Sequence, residues 1–108
     1  MNKKIEFDNN GKHFLLEYDR KTLAQMEEMG FNVNEMQNKP ASMLPLAFRG
    51  LFLKNHRGIS IQEIDDIYKK LPNKAKLTET ISAMLLETYQ SLQEEPGEEE
   101  GNIEWKVL

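Results

Sequence analysis

Apolar and polar residues alternate along the first part of the chain in the pattern of a two-stranded β-hairpin. The stretch 3–18 contains Asn10-Gly11, a pair that favours a two-residue type I′ turn because both positions need positive φ. With these two residues as the loop, one face of the hairpin is apolar and the other is mostly polar. The register that follows is Phe7 opposite Phe14, Ile5 opposite Leu16, Asp8 opposite His13, Glu6 opposite Leu15 and Lys4 opposite Glu17.

After the hairpin the apolar residues recur at helical spacing. The pattern predicts three to four helices, at about 20–29, 42–56, 61–71 and 74–93. Side chains suited to helix ends lie at the expected places, and Pro45 falls inside the first turn predicted for the second helix. The expected caps and stops are Asp19 and Gly30 for the first helix, Ser42 for the second, Ser60 with Glu63 for the third, and Asn73 or Thr78 for the fourth.

The last fifteen residues carry a different pattern. Glutamates crowd the stretch 94–102, whose like charges favour a solvated linker. Apolar residues alternate again over 103–108, which predicts a short strand. We expect this strand to return to the hairpin, with Trp105 covering Phe7 or Phe14; the alternative is a free docking peptide. The predicted fold class is therefore α+β, with one globular domain over 1–93, a linker and a C-terminal strand.

Composition narrows the class of protein without identifying a site. The chain has 108 residues, 39% of them hydrophobic and 30% charged, which suits one globular domain. There are no cysteines, so disulfides and thiolate chemistry are excluded. The apolar stretches are too short and too interrupted to span a bilayer, and no apolar signal core follows the basic residues at the start. We expect an intracellular protein that does not bind membranes.

The polar residues do not assemble into a catalytic or metal site. The stretch from Glu6 to Glu17 partly matches an EF-hand loop, but too few residues precede it for an entering helix, and the same residues satisfy the hairpin pattern. His13 and His56 lack ligand spacing, and adjacent acidic pairs diverge on a helix. We expect neither an enzyme nor a protein that holds a cofactor or metal.

A DNA-binding or transcriptional regulator is the main alternative from another functional class. The helices over 60–92 are joined by a short turn bearing lysines, namely Lys69, Lys70, Lys74 and Lys76. The net charge is −4, however, and the second helix has few donors suited to base edges. Nucleic acid is therefore the weaker expectation for a partner.

The chain contains more apolar and flexible side chains than a small core commonly needs. It has six methionines, and the predicted helix at 42–56 is apolar on most of its circumference. Methionine-rich faces either fill a core or accept varied apolar partners, and both interpretations stay open. The residues that we expect to form a partner-binding surface are Met26, Met29, Met43, Leu44, Phe48, Leu51, Phe52 and Trp105.

The order of these elements resembles that of the small tail assembly chaperones of long-tailed bacteriophages and prophages. The resemblance spans nearly the whole chain and is strongest in three stretches: Met-Glu-x-x-Gly-Phe at 26–31, Leu-Pro-Leu-x-Phe-x-Gly at 44–50, and Gly-Asn-x-x-Trp at 101–105. It implies a non-enzymatic protein that binds the tape measure protein, keeps it soluble and helps to recruit tail tube subunits. It also implies action in the host cell cytoplasm and absence from the mature virion. Homo-oligomers are expected, because one small domain covers only a short length of such a client.

Overall fold

The computed structural model describes residues 3–93 and 103–108 of the chain. Its fold is α+β, as the sequence predicts: an N-terminal antiparallel hairpin is followed by four α-helices. A 3₁₀ turn, Val33–Glu35, lies between the first two helices. The elements are β1 (Ile5–Asn9), β2 (Lys12–Leu16), α1 (Arg20–Glu28), α2 (Pro40–Gly50), α3 (Ile61–Lys70) and α4 (Lys74–Ser91). The predicted linker at 94–102 lies outside the described residues.

The hairpin has the turn and the register that its sequence predicts. Asn10 and Gly11 have φ values of 53° and 77°, the positive values that a type I′ turn requires. Phe7 pairs with Phe14, and the pairs on either side follow the same alternation, including Ile5 with Leu16. The core face therefore carries the aromatic and aliphatic residues, while the opposite face carries charged ones.

Helix α1 begins at the predicted residue, Arg20, and ends at Glu28, one residue earlier than predicted. The side chain of Asp19 accepts a hydrogen bond from the backbone N–H of Thr22, and the Thr22 hydroxyl lies 2.8 Å from the Asp19 nitrogen, so the two form a capping box. Gly30 follows the helix with a φ of 103°, a value that favours glycine and turns the chain away from the helix axis.

Helix α2 differs from its prediction at both ends. It begins at Pro40, and its N-cap Lys39 makes no side-chain cap bond, so the prediction of Ser42 as the cap is wrong. Proline is favoured at the first helical position because its fixed φ suits the helix and its missing N–H would be unpaired there anyway. Pro45 consequently lies in the helix interior rather than in the first turn. The helix ends at Gly50, and residues 51–55 form turns.

The segment 51–56 closes the outer edge of β2. The backbone N–H of Leu15 donates to His56 Nε2 at 3.0 Å, and the Leu15 carbonyl accepts from Asn55 Nδ2 at 3.1 Å. The backbone N–H of Glu17 donates to the carbonyl of Leu51 at 3.3 Å. An edge strand with unpaired backbone groups is prone to further pairing, and these bonds remove that tendency from β2.

Helices α3 and α4 start at the predicted caps. The Ser60 side chain accepts from the backbone N–H of Glu63, and the Asn73 side chain accepts from that of Lys76. Asn73 has a φ of 55°, a left-handed conformation that asparagine tolerates better than most residues. Both helices end one or two residues earlier than the sequence predicts, a difference within the usual spread of helix-end assignments.

The core lies between the hairpin and the helices, and every α-helix contributes to it. Its buried apolar residues are Phe14, Leu16, Tyr18, Leu23, Met26, Phe31, Met43, Ala47, Phe48, Leu51, Phe52, Ile64, Ile67, Ile81, Met84 and Leu85. Phe48 and Phe52 stand edge-on to one another with ring centroids 5.4 Å apart. Tyr18 is buried among them, and its hydroxyl donates to the carbonyl of Ala47.

Residues 103–108 do not form the predicted third strand. They have no regular secondary structure, and the Trp105 side chain is 83% exposed. The predicted cover for Phe7 or Phe14 is supplied from elsewhere: Phe7 stacks on Phe14 at 5.1 Å, and Phe52 meets the Phe14 ring at 6.0 Å. Phe14 has no exposed surface left for a tryptophan to cover. Over the two described ranges, 3–93 and 103–108, no helix has the length and apolar character needed to cross a membrane.

Candidate functional site

Most of the predicted partner-binding residues lie in the core of the single chain. Five of the eight are buried: Met26, Met43, Phe48, Leu51 and Phe52. Leu44 is half-buried, whereas Met29 and Trp105 are exposed. The apolar circumference of α2 is thus largely used in packing, because the helix contacts α1, α3 and α4 at once. What stays accessible on α2 is the strip around Leu44.

That strip forms one wall of a groove between α2 and α3. The groove has a volume of about 400 Å³. Its lining residues are Pro40, Ala41, Leu44, Pro45, Phe48, Arg49, Asp65, Tyr68 and Lys69. Two of the predicted residues, Leu44 and Phe48, are among them. Apolar side chains dominate the walls, so the groove suits an apolar side chain or helix face better than a charged ligand.

An ion pair and an aromatic contact fix the shape of the groove. Arg49 donates from Nε and Nη2 to the two carboxylate oxygens of Asp65, at 3.3 and 3.0 Å, and so ties α2 to α3. Tyr68 meets Phe48 edge-on at 5.1 Å, and the ammonium of Lys74 lies 4.9 Å from the Tyr68 ring centroid. The groove is therefore bordered by groups that hold each other in place.

Pro45, inside α2, removes one of the helix's backbone hydrogen bonds. Pro45 has no N–H, so the carbonyl of Ala41 lacks the donor that a regular helix provides four residues later. Both residues line the groove. The groove therefore lies beside a break in the regular hydrogen bonding of α2.

A second apolar groove lies between the 3₁₀ turn and α4, and sequence reasoning missed it. It has a volume of about 540 Å³, and its apolar lining residues are Val33, Met36, Leu85, Leu86 and Tyr89. Leu86 is 60% exposed there. A signal was present in the sequence, since Leu86 falls outside the core stripe of α4. Burial and a 2.8 Å hydrogen bond to Glu27 raise the pKa of Tyr89 to about 12, so its hydroxyl is a donor at neutral pH.

The polar residues of the hairpin are engaged with one another or with the helices. Asp8 lies 2.8 Å from Nδ1 of His13, and this hydrogen bond is the main cause that raises the pKa of the His13 imidazole. Glu17, the last residue of the partial EF-hand match, is directed instead to Lys54 at 3.2 Å. Within residues 3–93 and 103–108, no group of three or more carboxylate or histidine side chains is placed to hold a metal ion.

Glu17 is the most buried acidic residue that the structure describes, with 9% of its surface exposed. Its carboxylate accepts from Asn55 Nδ2 at 2.9 Å, and this bond is the main cause that lowers the pKa of Glu17. Lys54 and, at 3.7 Å, Lys4 lower the pKa further, while desolvation opposes them. The cluster ties the hairpin to the segment after α2 by charge as well as by backbone bonds.

The lysines of the alternative DNA-binding surface lie at the corner between α3 and α4. Lys74 is already engaged, because its ammonium donates to the carbonyl of Leu71 and lies over Tyr68. Lys69 and Lys70 are exposed in the last turn of α3, where cations are favoured by the helix dipole. The corner thus has a structural explanation for its positive charge.

Comparison with known proteins gives one match. The model of a protein family described as "Domain of unknown function (DUF5055)" matches residues 1–108. No curated protein and no solved structure matches the chain.

Proposed function

The chain belongs to the DUF5055 family over its whole length, and we propose that it is a tail assembly chaperone of a long-tailed bacteriophage or prophage. In this proposal it binds the tape measure protein without catalysis, keeps it soluble and helps to recruit tail tube subunits. The order of hairpin and helices and the three short stretches at 26–31, 44–50 and 101–105 support the assignment.

The groove between α2 and α3 is the proposed client site, and it is the observation that carries the proposal. A long helical client presents rows of apolar side chains, and such helices bind in apolar grooves. Leu44, Pro45 and Tyr68 offer apolar walls for such side chains. The ion pair of Arg49 with Asp65 at 3.0 Å ties together the two helices that form the groove.

The charge of the chain supports the same role. A net charge of −4 keeps a complex with an apolar client in solution and disfavours binding to nucleic acid. In the proposed role the protein acts in the host cell cytoplasm and leaves before the virion is complete.

Co-expression with the tape measure protein of the same phage or prophage tests the proposal. We expect the wild-type chain to keep that client in the soluble fraction and to co-purify with it. Leu44→Asp places a charge in the groove and is expected to abolish both effects. Leu86→Asp is the matched control, since it charges the other apolar groove on α4; circular dichroism checks that both variants fold.

Two results contradict the proposal at different levels. If the client is insoluble with and without the wild-type chain, and no complex forms, the chaperone function is wrong. If Leu86→Asp abolishes binding while Leu44→Asp retains it, the function stands but the client site is the groove beside the 3₁₀ turn.

A further inference from the structure

The two edges of the hairpin differ in a way that leaves one of them open. The Leu15 amide bonds to His56 and not to β1, so the Glu6–Leu15 pair is of the non-hydrogen-bonded type. The N–H and C=O groups of Glu6 and Asp8 therefore point away from β2. In the part of the chain that the structure describes, no backbone hydrogen bond outside the hairpin reaches them. The outer edge of β1 is a template for another strand.

The segment 103–108 has the pattern of such a strand and is not used elsewhere in the fold. Its apolar side chains alternate with Glu104 and Lys106, so one face of an extended conformation would be apolar. Ile103, Trp105 and Val107 are 81%, 83% and 86% exposed. Exposed apolar residues in a row of this kind are typical of an interaction segment.

The end of α4, from which the chain leads to this segment, lies near the hairpin. Glu87, in the last turns of α4, accepts from the backbone N–H of Lys3 at 2.9 Å, just before β1. Eleven residues separate Ser91 from Ile103. They can span up to about 36–40 Å, roughly twice the ~17 Å length of β1. The eleven residues are therefore long enough for 103–108 to reach the hairpin. Within one chain, however, the segment is exposed and unpaired.

We propose that residues 103–108 of one copy add as an antiparallel strand to the outer edge of β1 in a second copy. The exchange is reciprocal: each copy pairs its segment 103–108 with the β1 edge of the other copy. Both open edges are therefore paired and both exposed segments are covered in one two-fold dimer. The pairing needs no change in the described hairpin or helices. It extends each hairpin to a three-stranded sheet, which is more stable than two strands alone.

The favoured register places Trp105 opposite Phe7. The Phe7 ring is half-buried, with one face stacked on Phe14 at 5.1 Å, so Trp105 extends a row of aromatic rings across the sheet. This register also sets Lys106 opposite Glu6. It sets Glu104 opposite Asp8, which is hydrogen-bonded to His13.

Light scattering coupled to size exclusion, repeated over a concentration series, measures the dimer. We expect deletion of 103–108 to give a folded monomer, since none of these residues is buried. Trp105→Ala is expected to weaken dimerisation by roughly tenfold or more, because it removes the largest apolar side chain of the strand. Glu104→Ala, on the opposite face of the same strand, is the matched control and retains the dimer.

A mixing experiment separates exchange between copies from pairing within one chain. Glu6→Pro removes an outward N–H and so blocks the edge while it leaves the hairpin bonds of β1 intact. The Glu6→Pro variant still has residues 103–108, whereas the deletion variant still has an open β1 edge. Each alone is expected to be monomeric, and a mixture of the two is expected to form a heterodimer that is held by one strand pairing and is therefore weaker than the wild-type dimer.

Three outcomes overturn the proposal. The first is a wild-type chain that is monomeric at every concentration. The second is a dimer that persists without 103–108, which assigns the interface to another surface. The third is protection of the Glu6 and Asp8 amides from hydrogen exchange in a monomeric chain, which assigns the strand to its own hairpin. A dimer lost with the segment and restored in the mixture supports the exchange.

Discussion

The close approach of α1 to α2 at Gly50 gives the sharpest test of the packing. Gly50 is buried at the end of α2, and the Met26 side chain lies directly against its Cα. A Cβ placed there would lie 2.7 Å from Met26 Cγ and 2.8 Å from Cε, and it would overlap Sδ. Met26 has no exposed surface, so it has little room to move. Gly50→Ala therefore forces the two helices apart or Met26 into another rotamer.

The magnitude follows from two opposing effects. Overpacking of a filled core costs about 1–3 kcal/mol, while replacing a helical glycine by alanine stabilises by about 0.5–1 kcal/mol. We expect a net loss in the free energy of unfolding that is centred on about 1 kcal/mol and reaches at most about 2.5 kcal/mol. For a domain of this size each kcal/mol lowers Tm by roughly 4–8 °C. Gly58→Ala is the matched control, because a Cβ at Gly58 meets nothing within 4 Å.

Urea unfolding followed by far-UV circular dichroism measures the effect; Trp105 is too exposed for its fluorescence to report on the core. The same substitution made in a Met26→Ala variant strengthens the test. Met26→Ala is itself destabilising by about 2–5 kcal/mol, but it removes the atoms that a new Cβ would meet. In that background Gly50→Ala should become stabilising. If Gly50→Ala is as stable as the wild type, or has the same effect with and without Met26, the proposed overlap is wrong.

Three further predictions concern buried groups. The pKa of Glu17 is lowered in the folded protein, first by Asn55, so its contribution is complete above the unfolded pKa near 4.5 and is lost as pH falls through the folded value. Glu17→Gln should thus flatten the acid side of a plot of urea midpoint against pH, and an unchanged slope would contradict this. Tyr18→Phe leaves the Ala47 carbonyl without its donor and should lower stability by about 1–3 kcal/mol in the same assay; no loss would mean that another donor replaces the hydroxyl. Leu51→Asp buries an unpaired charge in the core and should abolish the cooperative unfolding transition; a folded variant would show that Leu51 is not core.

The hairpin could be predicted in detail because its determinants are local. A two-residue loop with positive φ at both positions leaves only one register, and the alternation of apolar residues agrees with it. Helix caps with a suitable side chain, such as Asp19 and Asn73, were predictable for the same reason. The start of α2 was not, because Pro40 initiates the helix through its own backbone geometry and no capping side chain marks the position.

The site could be predicted only in part because helical periodicity does not reveal how many neighbours a helix has. Phe48 and Leu51 lie on the apolar circumference of the helix predicted at 42–56, which suggested a binding surface, yet both are buried. Leu44 remains partly accessible because it lines the groove between α2 and α3, and that groove is a property of the tertiary arrangement. The open edge of β1 was equally hidden, since it depends on which side of the hairpin the segment 51–56 occupies.

The hydrogen bonds between the segment 51–56 and the outer edge of β2 have a consequence for the order in which parts of the fold open. Leu15 and Glu17 donate their amide protons to groups more than thirty residues away in sequence. These protons can exchange with solvent only when the hairpin separates from the helices, because opening the turn alone does not release them. On the opposite strand, Glu6 and Asp8 have amides that need no such separation. Hydrogen exchange at the β2 edge thus measures the separation of the hairpin from the rest of the domain. Exchange at the β1 edge measures only the local environment of that strand.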